Sequence, residues 1–255
     1  VKNFTKNLNS MMSEDGYTFS KVNQFLMTGR LATAEPPYQN YSKSIKPYIV
    51  PRPGFGMSDN DYQSIEYKII AGLSGEPRLL KAFQDPNTDY HRLQASNMFD
   101  LDYALITDDL RQEAKGFNFG IPFGMGAESL GEHLRGERSP ENTAYAEKML
   151  VKYFVGQDNV KAFFDNRRAW AVRDGYSETV MNRRRYYDKR TTSVGAIRRQ
   201  AGNQPIQGSA ADFFKLAVIR LYYSILKNNW QGKILLSGFI HDEMLIEVHQ
   251  SIHPL

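Results

Sequence analysis

An α+β fold is the class this sequence predicts, and three stretches predict it. KILLSGFIHDEMLIEVH, near the C-terminus, sets two apolar runs around a polar tip, the pattern of a β-hairpin. Upstream, Pro and Gly breaks separate apolar pairs over residues 45–61, a strand-forming pattern that ends at Asp61. From Glu76 to Tyr187 the apolar residues recur at helical spacing. Strands toward both ends and helices in the middle, segregated along the chain, place it in the α+β class.

In chain order, residues 1–20 are polar with scattered apolar positions and read as a helix and a connector. QFLMTGRLATAEPPYQN follows, with a Pro-Pro turn after TGRL. A strand is expected near Ser44–Val50, a turn at Pro51–Gly56, and a second strand entering Asp61. After it, YQSIEYKIIAGLSGE reads as a helix with Ile65, Ile69 and Ile70 on one side. His91 lies in the helical stretch DYHRLQASNMF, and a further helix opens at Asp108 or Asp109, either of which could cap it. Residues 127–170 give two or three amphipathic helices around a polar break at Gly136–Pro140. A basic turn, GYSETVMNRRRYYDKR, leads into a long helix over 195–228, which Pro205 should kink or interrupt. The hairpin closes the series, its turn at His241-Asp242-Glu243.

The 255 residues can bury a sizeable core as one large domain or two small ones. No apolar run approaches the length of a membrane span, and the first residues lack the charged-then-apolar layout of a signal peptide. With no cysteine, disulfides and thiolate metal sites are excluded, which suits a reducing cytosol. A net charge of +4 permits a phosphate-rich partner without demanding one.

Two stretches carry chemistry. In DLRQEAKGFNFGIPFGMG, Arg111, Lys115, Phe119 and Phe123 recur at every fourth residue. On a helix they line one face over roughly 18 Å, two cations followed by two rings. A nucleoside triphosphate has the matching shape, with phosphates for the cations and a sugar and base for the rings. Periodicity alone favours the plainer reading, core aromatics beside a solvated basic face. At the hairpin tip, HDE sets two adjacent acids between apolar strands, where they repel unless a cation sits there. An ordinary exposed turn is the plainer reading of that tip.

The particular strings decide the matter. RxxxKxxNFGxxFG resembles the nucleotide-binding helix of family A DNA polymerases. DYQSIEYK resembles that family's DYSQIELR, with Ser and Gln exchanged and Tyr67-Lys68 in place of Leu-Arg. NQPIQGSAAD matches its N-x-P-x-Q-G-[ST]-A-A-D, GYSETVMNRRR its GYxETxxGRRR, and TGRL with a downstream QN its entry to the palm. The resemblance runs from about residue 20 to the C-terminus. It implies a thumb remnant or connector over 1–19, palm over 20–75, fingers over 76–194 and palm again over 195–255. The implied fold is an α+β polymerase palm with an antiparallel β-sheet and a helical fingers subdomain.

The roles that the resemblance implies are these. Asp61 and Asp242, with Tyr62 beside the first, would hold two Mg²⁺ ions about 3.5–4 Å apart. Glu243 would assist near the metals. Arg111 and Lys115 would bind the β and γ phosphates, with Lys115 also placed to protonate the leaving group. His91 would add a phosphate contact, and Gln63 and Ser64 would meet the triphosphate largely through backbone groups. Phe119 and Phe123 would face the sugar and base of the incoming dNTP, and Glu66 would exclude a ribose 2′-hydroxyl. Arg30, Arg199, Asn203, Gln207 and His241 would contact primer–template DNA, and the basic turn could touch template phosphates.

Two departures bear on detail. Phe123 stands where the family usually has Tyr, so Glu66 loses a restraining hydroxyl. Pro122 should bend the helix that carries these residues. The expected activity is template-directed DNA synthesis; a catalytically silent primer–template or partner-binding module and a metal-dependent nuclease are the competing readings. Further expectations are a cytoplasmic, phage-like enzyme without a membrane partner. A companion polypeptide would supply thumb, exonuclease or a C-terminal palm segment.

Overall fold

Glycine and proline punctuation sets the element order in a computed structural model that describes residues 11–41 and 45–252. Strands β1 (Lys21–Asn23), β2 (Ala32–Ala34) and β3 (Phe55–Asp61) come first. Helices α1 (Ile65–Ser74), α2 (Pro77–Ala82), α3 (Tyr90–Phe99), α4 (Asp108–Gly120), α5 (Ala127–Arg135), α6 (Pro140–Phe154) and α7 (Asp158–Asp174) follow. The short strands β4 (Tyr176–Glu178) and β5 (Arg184–Tyr186) precede α8 (Val194–Lys227), and β6 (Ile234–Ile240) and β7 (Glu243–His249) complete the order. The chain divides into two compact units, one of Val1–Gln63 with Ala210–Leu255 and one of Ser64–Ser209. The dividing points fall just before α1 and inside α8.

The first unit is built on an antiparallel sheet in the order β3-β7-β6, with β7 central. A two-residue connection joins β6 to β7, and His241 takes the left-handed conformation there (φ 58°). Leu236 pairs with Ile246 while Gly238 pairs with Leu245, so Ser237 is the extra residue of a β-bulge. The bulge redirects the Ser237 hydroxyl, which donates to Glu247 Oε1 at 2.6 Å. Glu247 is only 5 % exposed, and its Oε2 accepts the Arg52 backbone N–H at 3.0 Å. Arg52 Nε lies 3.2 Å from the same oxygen as an ion pair without hydrogen-bond alignment. One buried carboxylate thus ties the turn before β3 to the bulge of β6 and to β7. Strand side chains alternate faces, so a one-residue slip would turn Glu247 away from both partners. Leu31, Phe214 and Met244 form the core of this unit, with Leu236, Phe239 and Ile246 packed against it.

The second unit is helical and has the larger core, centred on Tyr90, Met98, Phe117, Tyr153 and Phe164. Helices α4 and α5 approach closely at two glycines. A β-carbon on Gly116 would stand 2.5 Å from Leu134 Cδ2, and one on Gly120 2.4 Å from Leu130 Cδ2. The glycines of the KGFNFG string therefore serve helix packing.

Of the helix and connector expected over residues 1–20, residues 11–20 are a turn with a Met12–Thr18 bridge, and residues 1–10, where the helix would fall, lie outside the described residues. The strand expected near Ser44–Val50 is a 3-10 turn at Lys46–Tyr48, because Pro47 has no N–H for a ladder; Ser44 is outside the described residues. Thr107, rather than Asp108 or Asp109, caps α4, its hydroxyl accepting from Leu110 N at 3.4 Å. Both aspartates lie in the first turn, where their charge complements the helix dipole. Helix α4 ends at Gly120, so Pro122 lies beyond the helix and does not bend it. Helix α8 runs unbroken for 34 residues with Pro205 inside it. The basic turn is a β4–β5 hairpin.

If Glu247 locks the register, Glu247→Ala strands the Arg52 and Ser237 partners. Urea denaturation should show a loss of about 2 kcal/mol, with a smaller loss for Glu247→Gln.

Candidate active site

Strand pairing brings distant acids to one end of the sheet. Asp61 is the last residue of β3 and Glu243 the first of β7, and the two are register partners. Opposed residues in an antiparallel pair have Cα atoms about 5 Å apart and share a face of the sheet. Asp242 directly precedes Glu243 in the two-residue connection. Asp61 is exposed, while Asp242 and Glu243 are half-buried. Such acids repel one another unless a cation or proton intervenes. Tyr62, next to Asp61, is 42 % exposed. Among the described residues no three His, Cys, Asp or Glu side chains gather to hold a metal by themselves. Two carboxylates and a neighbouring peptide carbonyl are hard oxygen donors. They fit Mg²⁺, which leaves its other positions to water and substrate phosphate.

The helical unit carries a second constellation. Arg111, Lys115 and Phe119 lie on one face of α4, as their spacing predicts. Phe123 does not belong to that face, because the helix stops at Gly120 and residues 121–124 form a turn. Both rings are open to solvent, Phe119 by 42 % and Phe123 by 38 %. The Lys115 ammonium lies 5.7 Å from the centre of the Phe119 ring. Lys115 and Phe119 also line a cleft of about 530 Å³ with His133 and Arg135.

Asp89 organises the cations. Its Oδ1 caps α3 by accepting from the backbone N–H groups of His91 at 3.0 Å and Arg92 at 3.1 Å. Its Oδ2 accepts from Arg111 Nε at 2.5 Å. Partial burial pushes the Asp89 pKa up, but the hydrogen bonds from Arg111 and Arg92 outweigh it and the net shift is downward. Asn118 Nδ2 donates to His91 Nδ1 at 2.8 Å, which leaves the imidazole proton on Nε2. Burial lowers the His91 pKa to about 4, helped by Arg111 and Lys115 and opposed by Asp89. His91 is therefore a neutral donor at pH 7.

Ser64 precedes α1 in the left-handed conformation (φ 54°), and its carbonyl accepts from Tyr67 N and Lys68 N, each at 3.1 Å. A serine held there stores strain, as functional turns commonly do. Gln63, exposed, stands just before it, and Glu66 lies in the first turn of α1.

The residues expected to meet DNA are in two groups. Arg199, Asn203 and Gln207 lie on successive turns of α8, so they share a face. Asn203 Oδ1 and both amide atoms of Gln204 are buried with no hydrogen-bond partner. Arg30 and His241 belong to the sheet-bearing unit. Gln39 donates to the carbonyl of Leu31 at 2.8 Å, so the downstream QN braces the TGRL loop. The basic hairpin is engaged within the protein: Arg183 donates to the Gly208 carbonyl at 3.1 Å and Arg185 to Gln200 Oε1 at 2.6 Å.

Asp89 and Asn118 escaped the sequence reading. An Asp just before a helix signals a cap, but nothing local announces its pairing with Arg111. Asn118 sits inside the NFG string, and only the packing of α3 on α4 reveals its bond to His91.

DNA polymerase family A matches residues 1–254 of the chain. A DNA polymerase I of Caldicellulosiruptor bescii is 38 % identical over 230 residues, 86 % of this chain and 26 % of that protein. The thermostable DNA polymerase I of Thermus thermophilus is 32 % identical over 234 residues, 88 % of this chain and 27 % of its own length. The chain thus spans about a quarter of the length of these curated relatives. Among solved structures, the POL domain of Pol1 from M. smegmatis in complex with DNA primer-template and dNTP superposes with a TM-score of 0.87 at 30 % identity. The match covers 98 % of this chain and 45 % of that one. The α+β architecture is that of a polymerase domain, and the chain belongs to DNA polymerase family A.

Proposed function

We propose that this chain carries the nucleotidyl-transfer chemistry of a template-directed DNA polymerase. The observation that supports this most is the β3–β7 register, which sets Asp61 beside the hairpin tip that bears Asp242. The sheet-bearing unit corresponds to the palm and the helical unit to the fingers. Primer–template DNA and dNTPs are the substrates, as in the M. smegmatis complex.

Asp61, Asp242 and the peptide carbonyl at Tyr62 would hold two Mg²⁺ ions. Divalent ions held there would supply the acidity that activates a primer 3′-hydroxyl and the charge that offsets a leaving pyrophosphate. The remaining work is positioning and charge stabilisation by the chain's own groups. Arg111 and Lys115 bind the β and γ phosphates, and Lys115 delivers a proton to the departing pyrophosphate. His91 donates its Nε2–H to a phosphate oxygen without adding charge. Phe119 stacks on the sugar and base, and Phe123 supplies a second open ring in the turn that follows. Gln63 and Ser64 hold the triphosphate through backbone groups of the strained turn. Glu66 closes the space a ribose 2′-hydroxyl would need, and Glu243 assists beside the metals. Arg30, Arg199, Asn203, Gln207 and His241 follow the shape of the primer–template duplex instead of its sequence.

Primer extension separates this reading from a silent module or a nuclease. Asp242→Ala should lower the extension rate by on the order of 10³-fold or more, and Arg111→Ala or Lys115→Ala by about 10²-fold. Extension that survives Asp242→Ala would refute the site, and cleavage without extension would identify a nuclease. In this reading a Tyr hydroxyl at position 123 would steady Glu66, as the resemblance implies, so Phe123→Tyr should raise the preference for dNTP over rNTP several-fold in competitive incorporation.

The neutral His91 also has a pH signature. Its folded pKa lies below the ordinary 6.5, so the unfolded chain takes up a proton that the folded chain refuses. Stability should therefore fall as pH drops from 6.5 toward 4, and denaturation of His91→Gln over this range should lack that part of the slope.

A further inference from the structure

Four rings from three helices meet behind the face of α4. Tyr67 of α1 stacks on Tyr90 of α3 with centroids 4.3 Å apart and planes 24° apart. The same Tyr67 ring meets His91 nearly edge-on at 5.3 Å and 84°, and Phe119 at 6.4 Å and 67°. His91 and Phe119 are themselves 6.0 Å apart. Tyr67 is 5 % exposed while Phe119 is 42 % exposed, so Tyr67 is the buried member on which the open ring leans.

Its backing is rigid. Phe83 stacks on Tyr90 at 5.6 Å, and the Tyr90 hydroxyl is held by Gln94 at 2.8 Å and Tyr153 at 3.2 Å. Gln94 in turn exchanges amide hydrogen bonds with Gln157 at 2.9 and 2.8 Å. A satisfied buried polar network of this kind fixes one arrangement of the helices it joins. Tyr67 occupies the position where the DYSQIELR string has Leu. Its buried hydroxyl has no hydrogen-bond partner, so its orienting contacts come from the ring. Edge-to-face ring pairs have preferred geometries that an aliphatic side chain lacks.

We propose that Tyr67 is a positioning residue for the incoming nucleotide: its ring is the common backstop that orients the His91 imidazole and the Phe119 ring. This rests on the reading that the α4 face takes a nucleoside triphosphate. Tyr67 touches neither phosphate nor sugar. It sets the direction of the neutral His91 donor on α3 and the tilt of the Phe119 ring on α4, both of which a triphosphate must meet at once. The charged groups facing His91 are Asp89 from its own helix cap and Arg111 and Lys115 from α4; Asn118 fixes its tautomer.

The test measures dNTP binding to the protein–primer–template complex, KM and kcat for extension, and the NMR titration of His91, in wild type, Tyr67→Phe and Tyr67→Leu. Tyr67→Phe should match wild type in all of them. Tyr67→Leu should weaken dNTP binding and raise KM by about five- to tenfold, with a much smaller change in kcat and unchanged primer–template affinity. The His91 titration should move up toward its ordinary value as water reaches the ring. Unchanged dNTP binding in Tyr67→Leu would overturn the inference while leaving the polymerase reading intact. An equal loss in Tyr67→Phe would also overturn it, by assigning the effect to the hydroxyl. A wild-type complex that binds no dNTP would overturn both.

Discussion

Antiparallel pairing of β3 with β7 is the constraint on which the rest depends. Asp61 and Asp242 lie far apart in the chain, and only the strand register sets one beside the connection that holds the other. Register is unforgiving, because a shift of one residue reverses every side chain. Glu247 resists such a shift from inside the sheet. Its carboxylate is shared by Arg52, before β3, and by Ser237, in the bulge of β6. A buried carboxylate away from the hairpin tip thereby protects the geometry that sets Asp61 beside Asp242 and Glu243.

The helical unit solves a different problem, which is to gather positive charge without repulsion. Arg111, Lys115 and His91 are near neighbours, and three full charges there would oppose one another. Asp89 compensates Arg111, and burial keeps His91 neutral. The imidazole can then donate a hydrogen bond while the two cations supply charge. Asp89 does this from a helix cap, so the start of α3 and the pose of Arg111 are set by one side chain. The close approach of α5, made possible by Gly116 and Gly120, fixes α4 from another side.

Much of this was legible in the sequence. The hairpin, the strand into Asp61 and the spacing of Arg111, Lys115 and Phe119 depend on local periodicity, which a sequence displays directly. Phe123 was misread for a local reason also: its i+4 spacing continued past Gly120, where the helix stops. Pro47 argued against the strand expected near Ser44–Val50, and that signal was outweighed by the apolar residues around it. Thr107 caps α4, and the two aspartates after it offer the same local signal, so the sequence alone does not separate them. What could not be read locally were pairings across the fold: Asp89 with Arg111, Asn118 with His91, and Glu247 with Arg52. Tyr67 belongs with them, since its aromatic neighbours come from α3 and α4 and its own helix gives no hint of them.

The central claim is that Asp61 and Asp242 act as one metal-holding pair. A double-mutant cycle on the primer-extension rate tests it most directly, using Asp61→Ala, Asp242→Ala and both together. Groups that act as a unit are not additive, so the double variant should be about as slow as either single one. Losses that multiply, as for two independent sites, would contradict the account.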